Sequence, residues 1–474
     1  MTLDTSPESR VETGAPGPSV QELLAREKVP VPDALRLTST ADLGHDPIPV
    51  TRYTSRPFYD AEVEHLWPKV WQMACREEAI PDVGDVHVYE IGTRSALVVR
   101  TADGTIKAYP NACLHRGTEL KAADCNVSEL LCPFHGFCWN LDGTLANIPS
   151  PWDFPRLDPD ELRLPELRVA TWQGFVFVNF DESAPPLEEY LGGIVGHFES
   201  TARPPLDERF TAVHVAKVLE ANWKTALEAF LESYHVITTH PQTMPYIDDV
   251  NTQYDVFPGE PHWNRMITAL GVPSPHLGPG ISEDDVAEAL RRDQILLDVL
   301  TNPDPAALAV PEGGTAREML AGFARKMVGL MTGFDAEGAG ITDCEATDGI
   351  QYFVFPNFVP WPGMGAPIVY RFRPYGDRVD RCVMDLMLLY PCTPGQPRPP
   401  APPVHWLADD EDFTAAPELG GLASGLNQDL DNIPRIQRGL HSTVKKSVYL
   451  ADYQESRIRH FHTVLGRYVP DGGS

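Results

Sequence analysis

The chain has 474 residues (52.4 kDa), more than one compact core usually holds, so two or three domains are expected. Lys and Arg total 38 against 67 Asp and Glu, a formal net charge of −29, which disfavours nucleic acid and anionic membrane surfaces as partners. Apolar residues make up 42%, yet no apolar run reaches the ~18 residues of a membrane span, so a real core without a span is expected.

The first residues, Met1-Thr2-Leu3-Asp4-Thr5-Ser6-Pro7, lack the basic and apolar regions of a secretory signal, and the chain reads as cytoplasmic. Residues 1–30 are rich in Ser, Thr, Pro, Glu and Gly and read as a flexible tail. Residues 31–71 read as a helical lead-in packing on the second domain, with Phe58, Val63, Leu66, Trp67 and Trp71 at helical spacing. The period then changes to two. Val86–Ile91, Ala96–Arg100 and Thr105–Tyr109 alternate as strands, the last two joined by an Asp103-Gly104 turn. A second turn, Asp142-Gly143, and the run Phe175–Phe180 complete a small all-β domain over residues 72–183.

Residues 184–474 have mixed texture and form the second domain. A strand at Ala212–Val218 precedes a helix from Asn222, and capping boxes start helices at Ser282 and Thr315. Residues 255–345 read as a variable, lid-like insertion. In it Trp263, Met266, Met319, Phe323, Met327 and Met331 stand at helical spacing, most of them as core. Strands return at 351–355 and 380–390, and a Pro-rich linker leads to a final helical region. Eight cysteines are too few for a disulfide scaffold. Four of them, Cys113, Cys125, Cys132 and Cys138, crowd into one stretch, which points to metal ligands.

Two constellations carry chemistry. The first is Cys113-Leu114-His115-Arg116-Gly117 with Cys132-Pro133-Phe134-His135-Gly136. Two thiolates and two imidazoles suit either a closed zinc site or a two-iron cluster. Each loop mixes one Cys with one His, whereas zinc knuckles usually pair like with like, and this favours the cluster. Cys125 and Cys138 read as packing residues. The second constellation is Glu228, Glu232 and His235 on one face of a helix over 222–235, followed by His240. Such a face is usually solvated. Pro241, however, forces His240 out of helical geometry, so that it can fold back towards His235.

Together the two constellations resemble the Rieske non-haem iron oxygenases, large (α) subunit, of the aromatic-ring-hydroxylating oxygenase family. C-x-H…C-x-x-H is similar to the Rieske pattern, in which two thiolates hold one iron and two imidazoles the other. Glu232-x2-His235-x4-His240 resembles the family's mononuclear iron motif, and Gln428-Asp429-Leu430-Asp431 before Gln437-Arg438-Gly439-Leu440 resembles its acidic stretch. The resemblance implies an α+β protein, an N-terminal all-β Rieske domain plus a C-terminal helix-grip catalytic domain with an antiparallel sheet. It implies Cys113, His115, Cys132 and His135 as ligands of a 2Fe-2S cluster, and His235, His240 and Asp429 as ligands of a mononuclear Fe(II), with Asp431 the runner-up. Glu232 would join His135 of a neighbouring subunit to His235, carrying electrons between the metals in a homotrimer. NAD(P)H would act only through a separate reductase, with a ferredoxin as a further option, since no nucleotide-binding motif follows a strand here. The expected reaction is mono- or dioxygenation of a mainly apolar, aromatic or polycyclic substrate, as in aromatic hydrocarbon catabolism. Ala229 departs from the family, many members of which carry Asn there. The rival reading is a non-catalytic Rieske electron carrier fused to a ligand-binding module.

Overall fold

A computed structural model describes residues 16–292 and 308–469. It divides into two compact units, one of residues 60–190 with 374–378, the other comprising the remaining described chain.

The smaller unit is built from three short antiparallel sheets. Asp85–Ile91 pairs with Arg94–Arg100, which pairs with Ile106–Pro110, and the Asp103-Gly104 turn lies where the sequence puts it. There Asp103 accepts the Thr105 backbone N–H at 3.1 Å, while Gly104 adopts φ +82°. A second sheet, Glu129–Leu131, Cys138–Asn140 and Leu145–Asn147, turns at Asp142-Gly143 in the same manner. Inward-facing Val86, Leu97, Val99, Tyr109, Leu130 and Trp139 close the core beneath the cysteine loops. All eight cysteines are free thiols, and Cys138 donates to Glu129 at 3.2 Å rather than bridging.

The larger unit is an eight-stranded sheet with helices on it, the α+β arrangement expected. It runs antiparallel from Ile247–Asp255 through Trp263–Leu270, Gly349–Val354 and Phe358–Pro360 to Ile368–Tyr375. At its other end Arg209–Leu219 pairs antiparallel with Arg378–Pro391 and parallel with His405–Leu407. Ala316–Thr332 carries its capping box, and Met319 and Phe323 enter a core cluster with Val286 and Leu290. Leu422–Ser442 runs unbroken through Pro434 and packs against the short helix Trp223–Glu228.

Four expectations need correction. The tail reading of residues 1–30 fails where the structure can be described. Ser19 caps a helix over Val20–Leu24 in a capping box with Glu22, and Val20, Leu23 and Leu24 are buried. Gln21 holds this helix by donating to Leu35 O and Gln253 Oε1, each at 2.9 Å. Residues 1–15 lie outside the described residues. The helical spacing of Phe58 to Trp71 is met by a helix only over Arg56–Ala61, which widens to a π-helical turn over Glu62–Leu66. Trp263 and Met266 are not helical; they lie on Trp263–Leu270, a wholly buried strand, so the region 255–345 is not one inserted lid. Part of that region, 293–307, lies outside the described residues.

The fourth correction is the helix over 222–235, which stops at Glu228. Beyond it, Leu231 O accepts from Arg457 at 3.2 Å. Ser233 N–H donates to the Tyr254 hydroxyl at 3.0 Å, and its own hydroxyl to Thr252 at 2.8 Å. The Arg457 and Tyr254 bonds take the place of ladder bonds, and the segment between Glu228 and His235 is unwound.

The lead-in is anchored by one buried ion pair. Arg265, fully buried, donates to Asp255 at 2.6 Å and to the carbonyls of Ala34 and Leu37 at 2.6 and 2.7 Å. Asp255→Ala leaves that guanidinium without its counter-charge and is expected to cost ~3–5 kcal/mol in denaturant unfolding. A loss below ~1 kcal/mol would show that the pair does not anchor the lead-in.

Candidate functional site

The two cysteine loops are near copies of each other. In the first, Cys113 N–H donates to Thr118 O at 2.8 Å and Gly117 N–H to Cys113 O at 2.8 Å. In the second, Cys132 N–H donates to Phe137 O at 2.8 Å and Gly136 N–H to Cys132 O at 3.1 Å. Gly117 and Gly136 both adopt φ +75°, which reverses each loop so that its Cys and His face the other loop. The His115 and His135 rings come together with centroids 4.8 Å apart. His115 stacks on Phe137 at 4.6 Å and is thereby fixed in orientation.

Two backbone N–H groups aim at each sulfur, from His115 and Arg116 to Cys113 and from Phe134 and His135 to Cys132. Burial dominates at Cys113 and pushes its thiol up. At Cys132 burial acts the same way, but the N–H donors outweigh it and the thiol is lowered. Burial, then the charges of His135 and Arg116, lower His115. Its Nδ1 is buried without a hydrogen-bond partner, as a nitrogen reserved for a metal would be. A single zinc ion needs its four donors packed around one point. Among the described residues, the one group of three or more His, Cys, Asp or Glu donors meeting that closely is elsewhere, at His235, His240 and Asp429. The two-loop donor set therefore fits a cluster spanning two irons better than one ion.

In the larger unit those three residues place ligand atoms within 4.8 Å of one another. His240 Nε2 lies 3.1 Å, and His235 Nε2 3.5 Å, from Asp429 Oδ1. Both Nε2 atoms face inward because both Nδ1 atoms are already held. Glu232 takes His235 Nδ1 at 2.7 Å and the His235 backbone N–H at 3.0 Å. Gln428 Oε1 takes His240 Nδ1 at 2.8 Å. Burial alone would lower the His235 imidazole, but Glu232 and Asp429 outweigh it and hold it above its usual value.

Asp429 is buried and Asp431 exposed, so the long helix presents the first to the histidines. Gln437, two turns on, sets that register. It accepts the Asn222 N–H at 3.1 Å and the Thr225 hydroxyl at 2.8 Å, locking this helix to the start of Trp223–Glu228. The QRGL motif is thus partly a structural clamp. Sequence reasoning missed Gln428 as a holder of His240, although it directly precedes Asp429. It also missed Phe230, Tyr370 and Phe372, which stack at 4.8 and 5.3 Å centroid separations around Phe230. Burial, then the charge of Asp429, pushes the Tyr370 hydroxyl up.

The Ring hydroxylating alpha subunit (catalytic domain) family matches residues 200–471, and the Rieske [2Fe-2S] domain family matches residues 70–158. The chain belongs to the ring-hydroxylating alpha-subunit family. Members of this family pair a Rieske 2Fe-2S cluster with a mononuclear iron. The chain is similar to the anthranilate 1,2-dioxygenase large subunit of Acinetobacter baylyi, 33% identical over 40% of this chain and 41% of that protein. It is similar also to the carnitine monooxygenase oxygenase subunit of Escherichia coli, 30% identical over 41% of this chain and 52% of that protein. The chain thus matches about half, or less, of these relatives' length. In fold it resembles the quaternary ammonium Rieske monooxygenase CntA in complex with L-carnitine, with a TM-score of 0.61 and 16% identity over 91% of this chain and 100% of that one. It likewise resembles naphthalene 1,2-dioxygenase from Rhodococcus sp., with a TM-score of 0.58 and 18% identity over 90% of this chain and 95% of that one. No helix among the described residues is long and apolar enough to cross a membrane.

Glu232 raises the His235 imidazole, so Glu232→Gln removes that stabilisation of the cation. In metal-free protein, His235 is expected to titrate at lower pH in the variant than in the wild type, followed by NMR of the ring protons. An unchanged midpoint would show that Glu232 does not hold this ring.

Proposed function

We propose that this chain is the terminal oxygenase component of a multicomponent system. It would take electrons from an NAD(P)H-dependent reductase, directly or through a ferredoxin, and use O2 to hydroxylate a small molecule. The observation that carries this reading is the convergence of His235 Nε2, His240 Nε2 and Asp429 on one point, with each Nδ1 held from behind. An electron carrier needs no such second centre. Cys113 and Cys132 would hold one iron of the cluster, and His115 and His135 the other; His235, His240 and Asp429 would hold the mononuclear iron. That iron, when bound, supplies the site for dioxygen activation. The protein's part is to orient: Glu232 and Gln428 fix the imidazoles, and Gln437 fixes the helix bearing Asp429.

Glu232 would also take up His135 of a neighbouring subunit and so join the two metal sites. His135 is exposed, with the exposed Phe134 ring against it, and Ile436 and Tyr449 are exposed at the rim of a cleft of about 620 Å³ that holds Glu232. Apolar patches of this kind favour burial between copies, and a homotrimer fits them. Eight free thiols suit a reducing, cytoplasmic setting.

For the substrate, the Phe230, Tyr370 and Phe372 faces favour a mainly apolar, aromatic molecule, as in hydrocarbon catabolism. The same faces would also take a quaternary ammonium group by cation–π attraction, a second reading favoured by the nearby Asp429 charge and by the likeness to the carnitine enzyme.

Two measurements test this. Reconstituted wild type is expected to hold about three irons and two sulfides per chain and to sediment at about three times the chain mass; His235→Ala is expected to hold about two irons with its visible spectrum intact. Two irons in both proteins would instead support the electron-carrier reading. Substrate-stimulated O2 uptake with a surrogate reductase is expected from aromatic compounds. Stimulation by trimethylammonium compounds alone would replace the aromatic assignment with the cationic one.

A further inference from the structure

The helix Trp223–Glu228 ends in a carboxylate that belongs to a separate hydrogen-bond cluster. Glu228 Oε2 accepts the Tyr53 hydroxyl at 3.1 Å, and Glu228 Oε1 lies 2.8 Å from His462 Nε2. On the far side of that imidazole, Arg52 Nη1 reaches His462 Nδ1 and the His462 carbonyl, both at 3.0 Å. A guanidinium can only donate, so His462 Nδ1 accepts and its proton resides on Nε2, facing Glu228. The tautomer of His462 is thus set by Arg52, and the carboxylate is set by His462 and Tyr53.

This cluster opens onto the metal site. Glu228 and Tyr53 line the same cleft as Glu232, His235 and Asp429. The charges facing Glu228 are Lys224 on its own helix, Arg52 on the lead-in and Glu455, which itself faces Glu232. Burial, against the Tyr53 hydrogen bond and the Lys224 and Arg52 charges, pushes Glu228 up to about 8. Burial and the charges of Glu232 and Glu228 also raise Glu455. Negative charge added to a site already this rich in carboxylates is costly unless a proton comes with it.

We propose that Glu228 holds and donates the proton that accompanies an electron into the neighbouring iron site. The electron comes from the reductase and the proton from water in the cleft. Below its midpoint the Glu228 carboxyl already carries this proton in an O–H bond before the electron arrives, and water in the cleft restores it after each transfer. That O–H bond breaks when the proton is passed to oxygen during dioxygen reduction, a reaction that consumes as many protons as electrons delivered. Tyr53 and His462 keep the carboxylate at the cleft wall. The proposal rests on His235, His240 and Asp429 being iron ligands.

Wild type, Glu228→Gln and Glu228→Asp, each assayed for iron and sulfide, provide the test. The activity-independent readout is the infrared C=O stretch of a protonated carboxyl, titrated from pH 6 to pH 9 in metal-depleted protein. A band lost with a midpoint near 8 is expected in wild type, and no such band in Glu228→Gln. In loaded, pre-reduced protein, the single-turnover rate of cluster oxidation is expected to fall about tenfold from pH 7 to pH 9 in wild type. It is expected to be slow and flat in Glu228→Gln, with a sloping profile restored in Glu228→Asp. A Glu228→Gln protein with full iron and the wild-type pH profile would overturn the proposal alone. Wild type without mononuclear iron would overturn the ligand assignment, and the proposal with it.

Discussion

Two imidazoles can serve one metal only if their free nitrogens point at the same place, and here that depends on what is bonded behind them. Glu232 holds His235 Nδ1 and Gln428 holds His240 Nδ1, so rotation of either ring away from Asp429 would break a hydrogen bond in a largely buried setting. The rest of the larger unit serves this arrangement. The turn after Glu228 must unwind to bring Glu232 and His235 round together, and Arg457, Tyr254 and Thr252 make unwinding affordable by accepting or donating the bonds the helix gives up. Gln437 then places Asp429 by tying its helix to Asn222 and Thr225, so one amide side chain governs a contact two turns away.

The smaller unit solves a parallel problem with backbone instead of side chains. Each cysteine loop closes on itself through its own N–H and C=O groups, and a glycine at φ +75° completes each reversal. That leaves further N–H groups free to point at the Cys113 and Cys132 sulfurs, where they stabilise a thiolate. Local sequence suffices for such a loop, which is why two short copies of it are recognisable by eye. The His235, His240 and Asp429 group has no such local rule, because its carboxylate arrives from nearly two hundred residues away.

The two helical misreadings have a common cause. The stretch Asn222–His235 has a good cap and a helical wheel with an apolar face, and nothing local in it marks Glu228 as the last helical residue. Trp263 and Met266 likewise stand at a spacing that suits a helix, yet they are buried on both faces of a central strand, where alternation is lost. In both cases the partner that decides the conformation is remote in sequence. The Ser19–Glu22 capping box was the opposite case, a local signal present in the sequence but overshadowed by the composition around it.

What the sequence determined by itself was the donor chemistry. Cys113, His115, Cys132 and His135, the His235–His240 pair and the acidic stretch at 429 stand at spacings set by short loops, so they are readable without a fold. The Asp-Gly turns and the two-residue alternation of the small unit were legible for the same reason. Tertiary structure alone buried Asp429 near the two histidines and left Asp431 exposed, enlisted Gln428 and Gln437, and packed Phe230 against Tyr370 and Phe372. It also assembled Glu228, His462, Tyr53 and Arg52 from three distant segments. Those choices depend on which face of a helix meets which strand, and that is settled by packing over the whole sheet rather than by any one stretch of chain.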